Sequence, residues 1–149
     1  MPVSKRSDTA STRRDKPTVY YAHAMCIYRR KAERDELRTI RRRIRGARIV
    51  NPARYANHPE KLADTMSFCL KLVDGVDIVV FSRLLGKITA GVGKEVNHAL
   101  KRRKPVFEIV GRKLVRRTRV VRHITRGATI VLYERWRYHQ GWGRQGWGR

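Results

Sequence analysis

The chain has 149 residues, 41% of them apolar, which allows one domain of ordinary size with its own core and short tails and excludes a wholly disordered chain. Its 36 Lys and Arg against 12 Asp and Glu give a formal net charge of +24, a surplus that repels itself unless a polyanion neutralises it and that exceeds what solubility requires. No apolar run reaches the roughly 20 residues that span a bilayer, residues 1–17 hold no apolar signal region, and Cys26 and Cys69 form no CxxC pair, so a soluble cytoplasmic protein with no membrane partner, zinc site or disulfide framework is expected.

Residues 1–17 mix Ser, Thr and Asp with basic side chains and read as a basic flexible arm, too polar to fold alone. Thr18 opens a run of β-formers that predicts a strand. Leu37, Ile40 and Ile44 then recur at helical spacing up to Gly46. Ala47 to Asn51 is a short strand stopped by Pro52. A second helix is expected from Pro59, with Leu62, Met66, Cys69 and Val73 on one face, ending near Gly75. Val76 to Phe81 is a near-continuous β-branched run, the pattern of a central parallel strand covered on both faces. A third helix over Val92 to Arg103 and a strand over Lys104 to Val110 complete the alternation. Residues 18–110 therefore predict a small doubly wound α/β domain, flavodoxin-like or Rossmann-like, with a parallel sheet and helices on both faces. Residues 111–149 read as a basic β-containing extension: strands over Leu114 to Val121 and Thr129 to Tyr133, a hairpin turning near Arg126-Gly127, and a Gly/Trp/Arg tail from Gly141.

In a doubly wound sheet, ligands bind beyond the carboxyl ends of the strands. Tyr20, Tyr21 and His23 fall at the end of the first strand, Asn51 at the end of the second and Ser82 after the third. Gly91 and Gly93 open the following helix, where small residues allow close approach and free N–H groups suit a polar or anionic ligand. His23 also has a structural reading, as donor to a backbone carbonyl, and Asp77 reads as a structural acceptor. The remaining histidines lack ligand spacing, so neither a metal nor any other cofactor is expected.

Four features carry a resemblance: Val19-Tyr20 opening the first strand, Asn51-Pro52 closing the second, Val76-Asp77-Ile78-Val79-Val80, and Gly91-Val-Gly-Lys-Glu95 followed by Ala99 and Lys104-Pro105-Val106. Together they make residues 18–110 resemble the nucleoside 2-deoxyribosyltransferase and deoxynucleoside-monophosphate N-glycosidase superfamily. The resemblance implies a nucleoside or nucleotide ligand and a catalytic pair: Glu95 as the nucleophile that attacks the anomeric carbon of a 2-deoxyribosyl group, and Tyr20 as the residue that positions it. The family's aspartate on the preceding helix falls at Cys69. Glu95 also has a plainer reading, a carboxylate stabilised by about 0.3–1 kcal/mol in the first turn of its helix.

The basic residues lie outside that resemblance. Helix one carries Arg30, Arg34, Arg38, Arg41, Arg42 and Arg45 with few acids to offset them, and Lys101, Arg102 and Arg103 close the third helix. Arg112, Lys113, Arg116, Arg117, Arg119 and Arg122 follow in the extension. The tail ends in a doubled Gly-Trp-Gly-Arg that contains Trp142, Arg144, Trp147 and Arg149. Tryptophan faces stack on unpaired bases and arginine grips phosphate in a fork, which favours structured RNA over duplex DNA. The expectation is a nucleic-acid-binding protein of a ribosomal or other ribonucleoprotein particle; the alternative is an N-glycosidase or 2-deoxyribosyltransferase working through Glu95.

Overall fold

The computed structural model describes residues 16–140. Five strands, β1 (Thr18–Ala22), β2 (Arg48–Val50), β3 (Ile78–Phe81), β4 (Val106–Val110) and β5 (Lys113–Arg117), form one sheet in the order β2-β1-β3-β4-β5. The first four are mutually parallel, with Val19 beside Ile49 on one side and Ile78 on the other. β5 returns antiparallel to β4, Glu108 facing Val115. Helices α1 (Lys31–Arg43), α2 (Pro59–Ala63), α3 (Thr65–Asp74), α4 (Ala90–Lys101) and α5 (Arg126–His139) supply the crossovers and the cover. The fold is the doubly wound, Rossmann-like α/β architecture, and its strand order changes direction between β1 and β3.

Each face of the sheet has its own core. Tyr20, Ala22, Val79, Phe81 and Val106 project to the α3–α4 face against Cys69, Val73, Val92, Val96 and Ala99. Val19, Tyr21 and Val80 project to the α1 face, where Ile40 is wholly buried and Leu37 and Ile44 flank it. That narrow stripe fixes α1 while its other sides remain arginine; truncating Ile40 to Ala is of the class that costs about 2–5 kcal/mol. A third cluster, Ala24, Cys26, Ile27, Leu84, Leu132 and Trp136, joins α5 to the strand ends. At the opposite edge, the Asp77 carboxylate accepts from the Thr18 N–H at 2.9 Å and the Thr18 hydroxyl at 3.0 Å, clasping β1 to β3.

Two expectations are corrected. Thr129 to Tyr133 is not a strand and no hairpin turns at Arg126-Gly127; these residues lie inside α5, and the hairpin turns instead at Gly111 between β4 and β5. β-branched composition favoured a strand, but Thr129, Leu132 and Trp136 share one helical stripe and all are buried. The helix expected from Pro59 is broken at Asp64, whose extended backbone ends α2 and whose carboxylate accepts from the Ser67 N–H at 3.1 Å to start α3. The break turns Leu62 outward, 69% exposed, and buries Lys61 in its stead.

Candidate functional site

The consecutive tyrosines of β1 point to opposite faces, because side chains alternate along a strand. Tyr20 reaches the α3–α4 face and donates its hydroxyl to Oε2 of Glu95, on the second turn of α4. Glu95 is 6% exposed. Burial raises its carboxyl to about 7, opposed by the Tyr20 hydrogen bond and by the charge of Lys61. Cys69 of α3 stands beside the pair; burial and the Glu95 charge push its thiol up, while a Tyr20 hydrogen bond pulls it down. Lys61 donates to the Pro52 carbonyl at 2.8 Å and lies 5.3 Å from the Tyr28 ring centre. The Tyr28 and Tyr133 phenols are also raised, first by burial and then in part by the Glu95 charge. Around one carboxylate the fold thus gathers three phenols, a thiol and an ammonium. An acid that titrates near neutrality, with one oxygen fixed by a phenol, has the properties of a nucleophile or a general base.

The roof of this centre is α5. Tyr133 accepts from the Met25 N–H at 3.2 Å, and the Thr129 hydroxyl accepts from the Ala90 N–H at 3.0 Å. The first N–H of α4, expected to face a ligand, is therefore taken by the protein itself. Among the described residues the Thr89 hydroxyl, 2% exposed, has no hydrogen-bond partner of good geometry, and its proximity pulls the Tyr133 phenol down against burial. Gly93 has a packing reason for its small size: a Cβ there would stand 2.3 Å from the Cβ and ring of His123. At Gly91 the nearest atom to such a Cβ is the Met66 methyl at 3.8 Å, an ordinary contact.

The other face holds a second set. Tyr21 donates to Glu36 Oε1 at 2.5 Å and Ser82 donates to the same oxygen at 2.7 Å. Burial raises the Glu36 carboxyl despite both hydroxyls. His23 stacks on the Tyr21 ring at 3.7 Å; its Nδ1 lies 3.0 Å from the Tyr21 carbonyl and its Nε2 2.7 Å from Glu33 Oε2. A carbonyl only accepts, so Nδ1 carries a proton. Burial raises Glu33, but the His23 hydrogen bond and charge, helped by the Arg29 N–H and Asn51, leave its carboxyl below the usual range. Asn51 also accepts from the Ala53 N–H at 2.9 Å, capping the turn after β2. The residues grouped by sequence as one ligand site project to opposite faces of the sheet, Tyr20, Gly91, Gly93 and Glu95 on one and Tyr21, Ser82 and the His23–Glu33–Asn51 chain on the other, and the two sets meet at Tyr28, whose ring lies 4.7 Å from that of His23.

Comparison with protein families, curated proteins and solved structures found no match. The chain's own geometry carries the functional argument.

Sequence reasoning missed Lys61, which has no periodic signal, and Glu33 and Glu36. The last two had one: with Leu37, Ile40 and Ile44 they lie on the inward stripe of α1. Buried Glu108 was missed as well; it accepts from Arg83 Nε at 2.8 Å and Arg117 Nε at 3.0 Å.

Of the expected nucleic-acid contacts, Arg34, Arg38, Arg41, Arg42 and Arg45 are exposed along and just beyond α1, and Arg30 is half-buried at its start. Arg112 and Lys113 flank the β4–β5 turn, and Arg43 Nε donates to the Arg112 carbonyl at 2.8 Å, tying that turn to α1. Arg116 is exposed on β5 with its guanidinium over the Phe107 ring, while Arg117 is held by Glu108. Arg119 and Arg122 are exposed in the segment after β5. Lys101, Arg102 and Arg103 form a separate exposed cluster at the end of α4, where Arg102 reaches Asp74 at 3.7 Å. Trp142, Arg144, Trp147 and Arg149, with residues 1–15 of the basic arm, lie outside the described residues; Trp136 is buried in the α5 cluster. Among the described residues no helix is long and apolar enough to cross a membrane.

Proposed function

We propose that this chain is a nucleic-acid-binding protein that docks on structured RNA, such as ribosomal RNA, through α1 and the β4–β5 turn, on a deoxyribosyltransferase-like domain. The observation that carries this reading is where the acids are. Glu33 is held by His23, Glu36 by Tyr21 and Ser82, Glu95 by Tyr20, and Glu108 by two arginines within the fold. Glu60, Asp64, Asp74, Asp77 and Glu134 are exposed elsewhere, but α1 turns two of its three acids, Glu33 and Glu36, toward the fold. Among the described residues only Asp35 pairs with the cations of α1, holding Lys31 at 3.0 Å and Arg38 at 3.6 Å, and both pairs are exposed, hence weak. An arginine surface left so unbalanced binds phosphate by releasing counterions. If about ten phosphates are neutralised, log affinity against log salt should fall with a slope near −7 to −9. The measurement is RNA binding at salt from about 50 to 200 mM, with duplex DNA alongside. Affinity that stays flat removes the reading, and equal affinity for duplex DNA removes the preference for RNA.

A second reading is favoured by the buried Tyr20–Glu95 pair at the switch point of the sheet: an N-glycosidase or 2-deoxyribosyltransferase. Ionised Glu95 would attack C1′ of a 2-deoxyribosyl group as the base leaves with the glycosidic electron pair and takes up a proton; water or a second base then resolves the glycosyl ester. Release of free base from deoxynucleosides and their monophosphates should rise with pH through about 7, the Glu95 value, and vanish in Glu95→Ala. Cys69→Asp, which restores the carboxylate of the family pattern, should increase it. No release by the parent chain or by Cys69→Asp counts against catalysis.

A further inference from the structure

Between α1 and the β4–β5 turn lies a cavity of about 470 Å³, lined among others by Lys31, Asp35, Glu36, Arg38, Arg42 and Arg112. Its size falls within the roughly 300–1,000 Å³ of ligand pockets. Its chemistry is two-part. The rim is net cationic, with Lys31, Arg38 and Arg42 of α1 on one side and Arg112 of the turn on the other against Asp35, whose exposed pairs with Lys31 and Arg38 are weak, and the two sides are tied together by the Arg43–Arg112 hydrogen bond. Glu36, by contrast, has no Lys or Arg partner among the described residues despite the surplus of cations around it. Both donors it has, Tyr21 and Ser82, are neutral and both use Oε1. Oε2 accepts no hydrogen bond from any described residue. An ionised carboxylate only accepts, with about four lone-pair sites, so two remain open on Oε2.

The occupant must therefore bring hydrogen donors to Glu36 and negative charge to the rim. An unpaired nucleotide meets both needs, since splayed bases are read on their Watson–Crick edges and stack on guanidinium planes. The bases differ in what that edge offers an acceptor-only group. Adenine and cytosine present a donor beside an acceptor, and uracil a single donor between two acceptors. Guanine alone presents adjacent donors, N1–H and the N2 amino group.

We infer that this cavity binds an unpaired guanine of RNA, with Glu36 reading its N1–H and N2–H edge and Lys31, Arg38, Arg42 and Arg112 holding the flanking phosphates. The inference rests on the RNA reading above and adds to it a base preference and a place. It is independent of the Tyr20–Glu95 centre on the other face.

The test uses the full chain and labelled single-stranded decamers of uridine carrying one central guanosine, inosine or adenosine. The parent should bind the guanosine decamer about tenfold more tightly than the adenosine one, with inosine, which lacks the N2 amino group, between them. Glu36→Gln, which keeps an acceptor for Tyr21 and Ser82, should lose that preference and bind the guanosine and adenosine decamers equally. Thr39→Trp, at the cavity wall, should lose it too and serves if Glu36→Gln fails to fold. Binding without base preference, or preference surviving in either folded variant, overturns the inference and leaves the RNA reading standing. No RNA binding at all overturns both. Guanosine monophosphate binding as tightly as the guanosine decamer would overturn the assignment to RNA and put a free nucleotide in the cavity.

Discussion

Glu95 carries the sharpest consequence at the scale of single residues. Its carboxyl is raised by burial from 4.5 to about 7, so the folded chain holds a proton that the unfolded chain has already released over that interval. The stabilising contribution of the neutral form is complete below about pH 4.5 and is lost as pH climbs to about 7. Glu95→Gln, neutral throughout, should match the parent near the lower bound and exceed it by a few kcal/mol above the upper one, since each tenfold change in acidity is worth about 1.4 kcal/mol. Urea unfolding across that range measures it, and a stability difference that does not change with pH would contradict the raised value. The residue was legible in the sequence through the Gly-Val-Gly-Lys-Glu pattern. Its neighbours were only partly so: Tyr20 and Cys69 follow from strand and helix position, whereas Lys61 enters the centre only because Asp64 ends a helix early. No one-dimensional period contains that event.

Among the elements, α4 and the segment before α5 meet closely at Gly93. The imidazole of His123 occupies the space above Gly93, so Gly93→Ala forces a contact of 2.3 Å, and overpacking of this kind costs about 1–3 kcal/mol. In a His123→Gly background the same substitution should cost little or become stabilising, since alanine is the better helix former. Denaturant midpoints of the four proteins test this, and an equal cost in both backgrounds would place the strain elsewhere. The alternation of strands and helices over residues 18–110 was readable because apolar periods of two and of 3.6 follow each other there with turn residues between. α5 was not, because Ile130, Val131 and Tyr133 are strong strand formers. Packing of Leu132 and Trp136 on Ala24, Ile27 and Leu84 outweighs their preference.

For the molecule as a whole, the basic extension and the α/β domain are interlocked. β5 completes the sheet, Thr129 caps α4, and Tyr133 roofs the Glu95 centre. Truncation after Val110 would remove all three, so loss of RNA binding on such a cut would report unfolding; a cut after Gln140 separates the Gly/Trp/Arg tail and leaves every described element in place. The large positive charge was legible from composition alone. What composition does not contain is the direction of the acids on α1, where Glu33 and Glu36 turn toward the fold and leave the outer face of that helix more cationic than a residue count implies.

The paired tyrosines of β1 also settle how that strand is aligned. Val19, Tyr20, Tyr21 and Ala22 are all fully buried, so hydrophobicity barely distinguishes the native alignment from one displaced by a residue. Displacement would bring one tyrosine to the other's place and leave a valine or an alanine at the second. Glu95 or Glu36 would then lose its phenol partner, a buried carboxylate left wanting at about 1–3 kcal/mol or more. Two adjacent hydroxyls, each matched to its own acid across the sheet, make the threading of the central strand unique.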